Sequence, residues 1–311
     1  MTEFPIVDIA ALAGIDAAAK RAVAAELGRA CREIGFFYIT GHGVPEAVVA
    51  DVFAAARTFF AEPRAAKQRL SIKHAPHNRG YVDLSEEQLD PTGGEDRKEA
   101  FNIGLELAPD HPEIVAGAPF RGANFWPDLP GWRTVMLDYF ERCWAVGRRL
   151  HRGFSLDLGV PEDFFEDKLD APLAVLRLLH YPAGSPEAAR DLGAGEHTDY
   201  GNVTILATDG VAGLEVRDRA GRWIPAPTIP GSFVCNIADC LMRWTNDTYV
   251  STPHRVAAPA RERYSIAFFL DPNPEARVAS IVAGPAKYPP ISAADYLRQR
   301  LDATYAHRAQ P

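Results

Sequence analysis

Gly195-Glu196-His197-Thr198-Asp199-Tyr200-Gly201 is the stretch that decides how this chain is read. Residues two apart on a strand point to the same face. An extended 197–199 therefore projects His197 and Asp199 side by side. A second histidine from a neighbouring strand, His254, completes two imidazoles and one carboxylate on one face of a metal. That donor set leaves about three of six coordination positions open, which suits non-haem Fe(II) with O2 and a co-substrate. Further on, Arg263 and Ser265 again share a face, at the start of an apolar run to Leu270. A buried guanidinium is costly unless it meets an anion. Beside a hydroxyl it suits a carboxylate, through bidentate contact plus one more donor.

The flanking sequence has the texture of strands. From Leu173 to Leu270 short β-rich runs are punctuated by Gly, Pro, Asn and Asp: 173–181, 202–207, 213–217, 232–237, 253–257 and 263–270. Many short strands with turn signals indicate an antiparallel sandwich or barrel. The fold expected is mixed α and β, a jelly-roll (double-stranded β-helix) core with N-terminal and flanking helices. Val135, Leu137, Phe140, Cys143, Trp144, Val146 and Leu150 give residues 131–158 a broad apolar helical face. A terminal helix is expected over 292–304.

Towards the N-terminus the spacing predicts a short strand at Phe4–Ile9 and an amphipathic helix over 16–34. A strand at Phe36–Thr40, a helix opened by Pro45 and a short helix after Pro63 follow. Residues 71–130 are dense in Pro and Gly and read as loops and short strands over the site entrance. Residues 1–130 thus form a helix/strand region covering the core. Residues 131–311 form the jelly-roll core with its long supporting helix and C-terminal helix. With no flexible linker between them, the two are expected to interlock as one unit.

The 311 residues, 47% hydrophobic and 24% charged, are those of a globular protein able to bury a sizeable core. With 33 basic and 41 acidic residues the formal charge is −8, and no basic face offers itself to nucleic acid or an anionic membrane. Cys31, Cys143, Cys235 and Cys240 lack Cys-x-x-Cys spacing and read as reduced, buried thiols. Neither a signal peptide nor a membrane span is apparent, so a cytoplasmic protein is expected. A competing His-x-acid, His111-Pro112-Glu113, carries a proline that spoils a central strand. His42, His74, His77 and His180 read as turn, solvated or packing residues.

Together these residues resemble the iron(II)- and 2-oxoglutarate-dependent oxygenases of the isopenicillin N synthase-like family. The resemblance spans nearly the whole chain. Phe4-Pro5-Ile6-Val7-Asp8 and Gly35-Phe36-Phe37-Tyr38-Ile39-Thr40-Gly41-His42-Gly43-Val44 are similar to the family's N-terminal region. Leu176-Arg177-Leu178-Leu179-His180-Tyr181-Pro182 is similar to the strand before its metal site. The core matches are Gly195–Gly201, Asn236–Asp239, Arg243–Asp247, Ser251–Val256 and Arg263–Ser265. The resemblance implies that His197, Asp199 and His254 ligate Fe(II). It implies that Arg263 and Ser265, with Tyr181 as a further contact, hold the distal carboxylate of 2-oxoglutarate. Many members have Asn where Leu179 stands, and this departure loosens the expectation for the co-substrate end.

The activity implied is oxidative decarboxylation of 2-oxoglutarate coupled to oxidation of a small organic substrate, by hydroxylation or by desaturation or ring closure. Two rivals keep the fold. One is a 2-oxoglutarate-independent oxidase of the isopenicillin N synthase or aminocyclopropane carboxylate oxidase type, in which the Arg-x-Ser pair serves another carboxylate. The other is a non-catalytic jelly-roll binding protein. Asn236 and Asp239 read as turn residues rather than site residues. Arg79, Tyr81, Lys98, Phe101 and Asn102 are the candidates for the substrate pocket.

Overall fold

The computed structural model describes residues 4–304 apart from 75, 85, 88, 90–95 and 184–191. The N-terminal part runs β1 (Ile6–Asp8), α1 (Ala17–Glu33), β2 (Phe36–Thr40), α2 (Glu46–Phe60), α3 (Arg64–Gln68), β3 (Gly80–Val82), β4 (Glu99–Gly104) and α4 (Pro112–Val115). The long α5 (Trp132–Leu158) follows, then β5 (Val175–Tyr181), β6 (Leu192–His197), β7 (Val203–Thr208), β8 (Leu214–Arg217), β9 (Trp223–Pro225) and β10 (Phe233–Ile237). The chain closes with α6 (Asp239–Trp244), β11 (His254–Ala257), β12 (Arg263–Leu270), β13 (Arg277–Val278), β14 (Ile291–Ser292) and α7 (Ala293–Thr304).

Among the described residues, eight strands form one sheet in the order β1-β2-β10-β7-β12-β5-β4-β3, and four form a second, β6-β11-β8-β9. All pairs are antiparallel except β1 with β2. This is the mixed α and β, jelly-roll arrangement expected from the run of short strands. In the larger sheet four strands from residues 175–270 form the middle and strands from residues 6–104 flank them in pairs on both sides, so both halves of the sequence build one hydrogen-bonded layer. β3 and β4 were expected only as short strands over an entrance. In fact β4 is buried along its whole length and pairs residue by residue with β5.

Period-two alternation divides the large sheet into two faces. On β12, Tyr264, Ile266, Phe268 and Leu270 join the main apolar core beneath the helices. Leu176 and Leu178 of β5, Val203 and Ile205 of β7, and Phe101 and Ile103 of β4 point the same way. α5 lies across that face with Met136, Phe140, Cys143, Leu150 and Phe154 buried. The rings of Phe140 and Phe268 meet edge to face at 5.0 Å. At Gly147 a Cβ would stand 2.4 Å from a Leu270 methyl, so this glycine sets how closely the helix approaches the sheet. The opposite residues of the same strands face the smaller sheet, and the space between the two sheets is the functional cavity. Among the described residues no helix is long and apolar enough to cross a membrane.

Candidate functional site

β6 and β11 pair so that His197 and His254 stand directly opposite each other. Their ring centroids are 4.3 Å apart. β6 ends at His197, so Asp199 is not on the strand as the sequence led one to expect. It sits just beyond, where Thr204 Oγ1 and Asn236 Nδ2 both donate to its Oδ2. That leaves Oδ1 turned to the imidazoles, 3.7 Å from His197 Nε2 and 3.6 Å from His254 Nε2. One donor atom from each of the three residues lies within 4.8 Å of the others, the grouping needed to hold a metal ion.

The hydrogen bonds around the triad fit a divalent metal. Nδ1 of His197 lies 2.8 Å from the Gly195 carbonyl, and Nδ1 of His254 lies 3.2 Å from that of Thr252. A carbonyl can only accept, so each Nδ1 carries the proton and each Nε2 presents its lone pair to the centre. Burial and the neighbouring His254 push the His197 imidazole down to about 4, which keeps it neutral. Burial alone raises the Asp199 carboxyl, but the two imidazoles and the bonds from Thr204 and Asn236 outweigh it, and it lies below its ordinary value. Two neutral imidazoles and one carboxylate make a mixed N,O donor set suited to Fe(II).

A cavity of about 170 Å³ runs from this triad between the sheets. At one end Arg263 is 1% exposed, and its guanidinium lies over the Tyr181 ring at 4.7 Å. The register sets Arg263 opposite Tyr181 and Ser265 opposite Leu179. Arg263 donates to Ser265 Oγ and to the Val211 carbonyl, both at 3.3 Å. Among the described residues no carboxylate lies within ion-pair distance of it. A buried cation facing a cavity with no internal anion in reach has the chemistry to receive a carboxylate.

Chain 4–129 matches the family described as non-haem dioxygenase in morphine synthesis N-terminal, and 172–272 matches the 2OG-Fe(II) oxygenase superfamily. A "2-oxoglutarate-Fe(II) type oxidoreductase hxnY" of Emericella nidulans is 34% identical over 97% of this chain and 90% of its own length. The chain belongs to the 2OG-Fe(II) oxygenases. A rice "homoarginine-6-hydroxylase 2-ODD-233" is 37% identical over 88% of this chain and 87% of its own length. A full-length Neurospora crassa protein, solved in complex with alpha-KG, superposes with a TM-score of 0.87 at 32% identity over 97% of this chain and 96% of that one. As a member of this family, the protein is a non-haem Fe(II) oxygenase that couples decarboxylation of 2-oxoglutarate to oxidation of a small organic substrate. This reading is favoured over the 2-oxoglutarate-independent oxidase and over a non-catalytic jelly roll.

The oxygenase's five substrate-pocket candidates divide by strand parity. Lys98 and Asn102 line the cavity. Arg79, Tyr81 and Phe101 do not: Tyr81 and Phe101 point to the helix side of the sheet, and Arg79 precedes β3. Tyr81 and Phe101 are in the main core. The Tyr81 hydroxyl donates to Glu99 and Asp83. The Arg79 guanidinium packs on the Gly104 backbone, where a Cβ would meet its Cζ at 1.7 Å. Burial and the nearby Arg121 push it down to about 10. His111 caps α4, accepting the Glu113 N–H at 3.3 Å.

Several cavity residues escaped the sequence reading. Arg177, Glu87 and Asp96 form a buried ionic chain with Lys98. Asp271 is buried in the wall, and burial together with Asp199 pushes its carboxyl up to about 7. Asn236, set aside as a turn residue, is the last-but-one residue of β10 and holds Asp199. Its parity with Val234, opposite the core-facing Cys235 and Ile237, was the available signal.

Proposed function

We propose that His197, Asp199 and His254 hold the Fe(II) of this oxygenase, and that Arg263, Ser265 and Tyr181 hold the distal carboxylate of 2-oxoglutarate. One observation carries the assignment: a convergent His/Asp/His donor set and a buried guanidinium, with no internal anion among the described residues, line a single cavity. Fe(II), when bound, supplies the oxidative decarboxylation of 2-oxoglutarate to succinate and CO2 that drives substrate oxidation. The chain's own residues bind and orient. Carbonyls of Gly195 and Thr252 fix the imidazole tautomers, and Thr204 and Asn236 fix the carboxylate. Arg263 and Ser265 anchor one end of the co-substrate so that its other end is directed to the metal face. Leu179, Leu206, Ala267 and Phe269 keep the cavity apolar and exclude water.

Leu179 stands where many relatives have Asn, so Tyr181 takes the polar contact at that end. The primary substrate is a small organic molecule that enters beside Lys98 and Asn102. We assign the enzyme to the cytoplasm, on the strength of four buried, unpaired thiols. The test is anaerobic titration of the Fe(II) protein with 2-oxoglutarate, followed by its weak visible charge-transfer band. Wild type develops the band, and Arg263→Ala requires far more 2-oxoglutarate. Development of the band at wild-type concentrations in Arg263→Ala refutes the clamp. A wild-type protein that consumes O2 with a substrate and forms no succinate refutes the co-substrate.

A further inference from the structure

We propose that Asp96 is a positioning residue for the metal centre: it fixes Gly195, the residue whose carbonyl orients His197. The inference rests on the reading above that His197 is an iron ligand.

β6 stands at one edge of the smaller sheet, with β11 as its neighbour among the named strands. Along its other side runs the segment just before β4. Asp96 forms a parallel bridge with Leu192, and the Arg97 N–H donates to the Leu192 carbonyl at 3.0 Å. The Asp96 carboxylate is buried there. Its Oδ1 accepts the Gly195 N–H at 2.8 Å. Its Oδ2 accepts from the Lys98 ammonium at 2.6 Å and from the Leu89 N–H at 3.0 Å. Donors on both oxygens fix the carboxylate, and a charged acceptor makes the bond to Gly195 one of the stronger kind.

Gly195 is the point at which β6 most needs such a hold. His254 pairs with His197 and Val256 with Ala194, so β6 has one residue more than β11 between the two pairs. An irregularity of this kind interrupts the ladder and re-aims the side chains beside it. A glycine there has no Cβ to restrict its own rotation. Yet the Gly195 carbonyl is the group that accepts the His197 Nδ1–H, at 2.8 Å. Asp96 on the N–H and the imidazole on the carbonyl therefore grip one residue from its two ends. Without the carboxylate a buried N–H loses its acceptor, and Gly195 turns to find another, taking its carbonyl from the ring. His254 takes its orientation from the Thr252 carbonyl instead, so Asp96 acts on one imidazole and not on the other.

The test uses the full chain loaded with Co(II), which suits the same donor set. Proton NMR of the paramagnetic centre reads the exchangeable N–H of each ligating imidazole separately, and metal titration reads affinity. In Asp96→Leu the His197 N–H should exchange with solvent at least about tenfold faster, and Co(II) affinity should fall about tenfold. The His254 N–H should stay within about twofold of wild type. Asp96→Asn keeps an acceptor for Gly195 but turns an NH2 toward Lys98 and Leu89. Its effect should be selective for His197 too but smaller, about threefold, with most of the affinity recovered. If Asp96→Leu does not fold, Asp96→Asn carries the comparison. A purely structural Asp96 would lower thermal stability and treat the two imidazoles alike. Equal change at His197 and His254, change at neither, or change at His254 alone overturns the proposal. A wild-type Co(II) protein with no shifted N–H from His197 would instead overturn the ligand assignment on which it rests.

Discussion

Replacing Arg263 by Met removes the charge but keeps most of the volume, so the outcome reports electrostatics rather than a void. The guanidinium is 1% exposed, and its partners among the described residues are neutral: Ser265 Oγ and the Val211 carbonyl at 3.3 Å and the Tyr181 ring at 4.7 Å. Without 2-oxoglutarate it is a desolvated cation lacking an anion, so its loss should leave the ligand-free protein as stable as wild type or more so. With 2-oxoglutarate, loss of a buried charge pair costs about 2–5 kcal/mol of binding, roughly a 30-fold to 5,000-fold rise in Kd. Wild type at 100 times its Kd gains about 2.7 kcal/mol, or roughly 5 °C in Tm for a chain of this size. Arg263→Met at the same concentration should gain at most about 0.9 kcal/mol, under about 2 °C. Thermal unfolding with and without 2-oxoglutarate, with Mn(II) in place of Fe(II), reads both effects. A variant strongly destabilised without ligand, yet still shifted by 2-oxoglutarate as wild type is, would show that Arg263 serves an internal partner and refute the reasoning.

His197→Ala, Asp199→Ala and His254→Ala should each abolish turnover and tight iron binding without unfolding the chain, checked by metal analysis and circular dichroism. Wild-type iron content in any one of them removes that residue from the metal site. Thr204→Val and Asn236→Leu each strip a donor from Asp199 Oδ2, and iron affinity should fall by about 10–100-fold in either. Unchanged metal titrations would show that Asp199 is held by other means. His151 is buried with Nδ1 2.7 Å from the Gly147 carbonyl and Nε2 3.0 Å from Asn202 Nδ2, a pattern that only the neutral ring satisfies. Burial pushes it down to about 4. The unfolded chain takes up this proton first, so its stabilising contribution is complete above about pH 6.5 and is lost as the pH falls toward 4, by roughly 3 kcal/mol. Urea unfolding from pH 7.5 to 4.5 should be less acid-sensitive in His151→Leu than in wild type, and identical slopes would contradict the assignment.

The grouping of His197 with Asp199, and of Arg263 with Ser265, was legible because each pair is local in sequence. His-x-Asp and Arg-x-Ser each place two groups close in sequence, and few pairings of residue types do the same work. The strands were legible from β-branched runs, and β2, from Phe36 to Thr40, lies where its aromatic content put it. The pocket candidates fared unevenly because parity on a strand is invisible until the strand is located. Once β4 is fixed at Glu99–Gly104, alternation sends Phe101 to the helices and Asn102 to the cavity. Arg177, inside an apolar strand, carries no local mark of its partner, since Glu87 lies 90 residues earlier and meets it only through the fold. Asn236 was hidden for the same reason, because its bond to Asp199 spans 37 residues.

The strand order also bears on how the chain is made. β12 occupies the middle of the large sheet, between β7 and β5, yet it is the last of the eight to leave the ribosome. Until it emerges, β5 and β7 each expose an unpaired edge rich in apolar side chains, the state most open to pairing with another nascent chain. A single insertion of residues 263–270 closes both edges and brings Arg263 and Ser265 to the cavity in the same event. A chain interrupted before Arg263 is therefore an aggregation hazard as well as an incomplete enzyme. Chaperone demand during synthesis should peak over the interval between the release of β7 and that of β12.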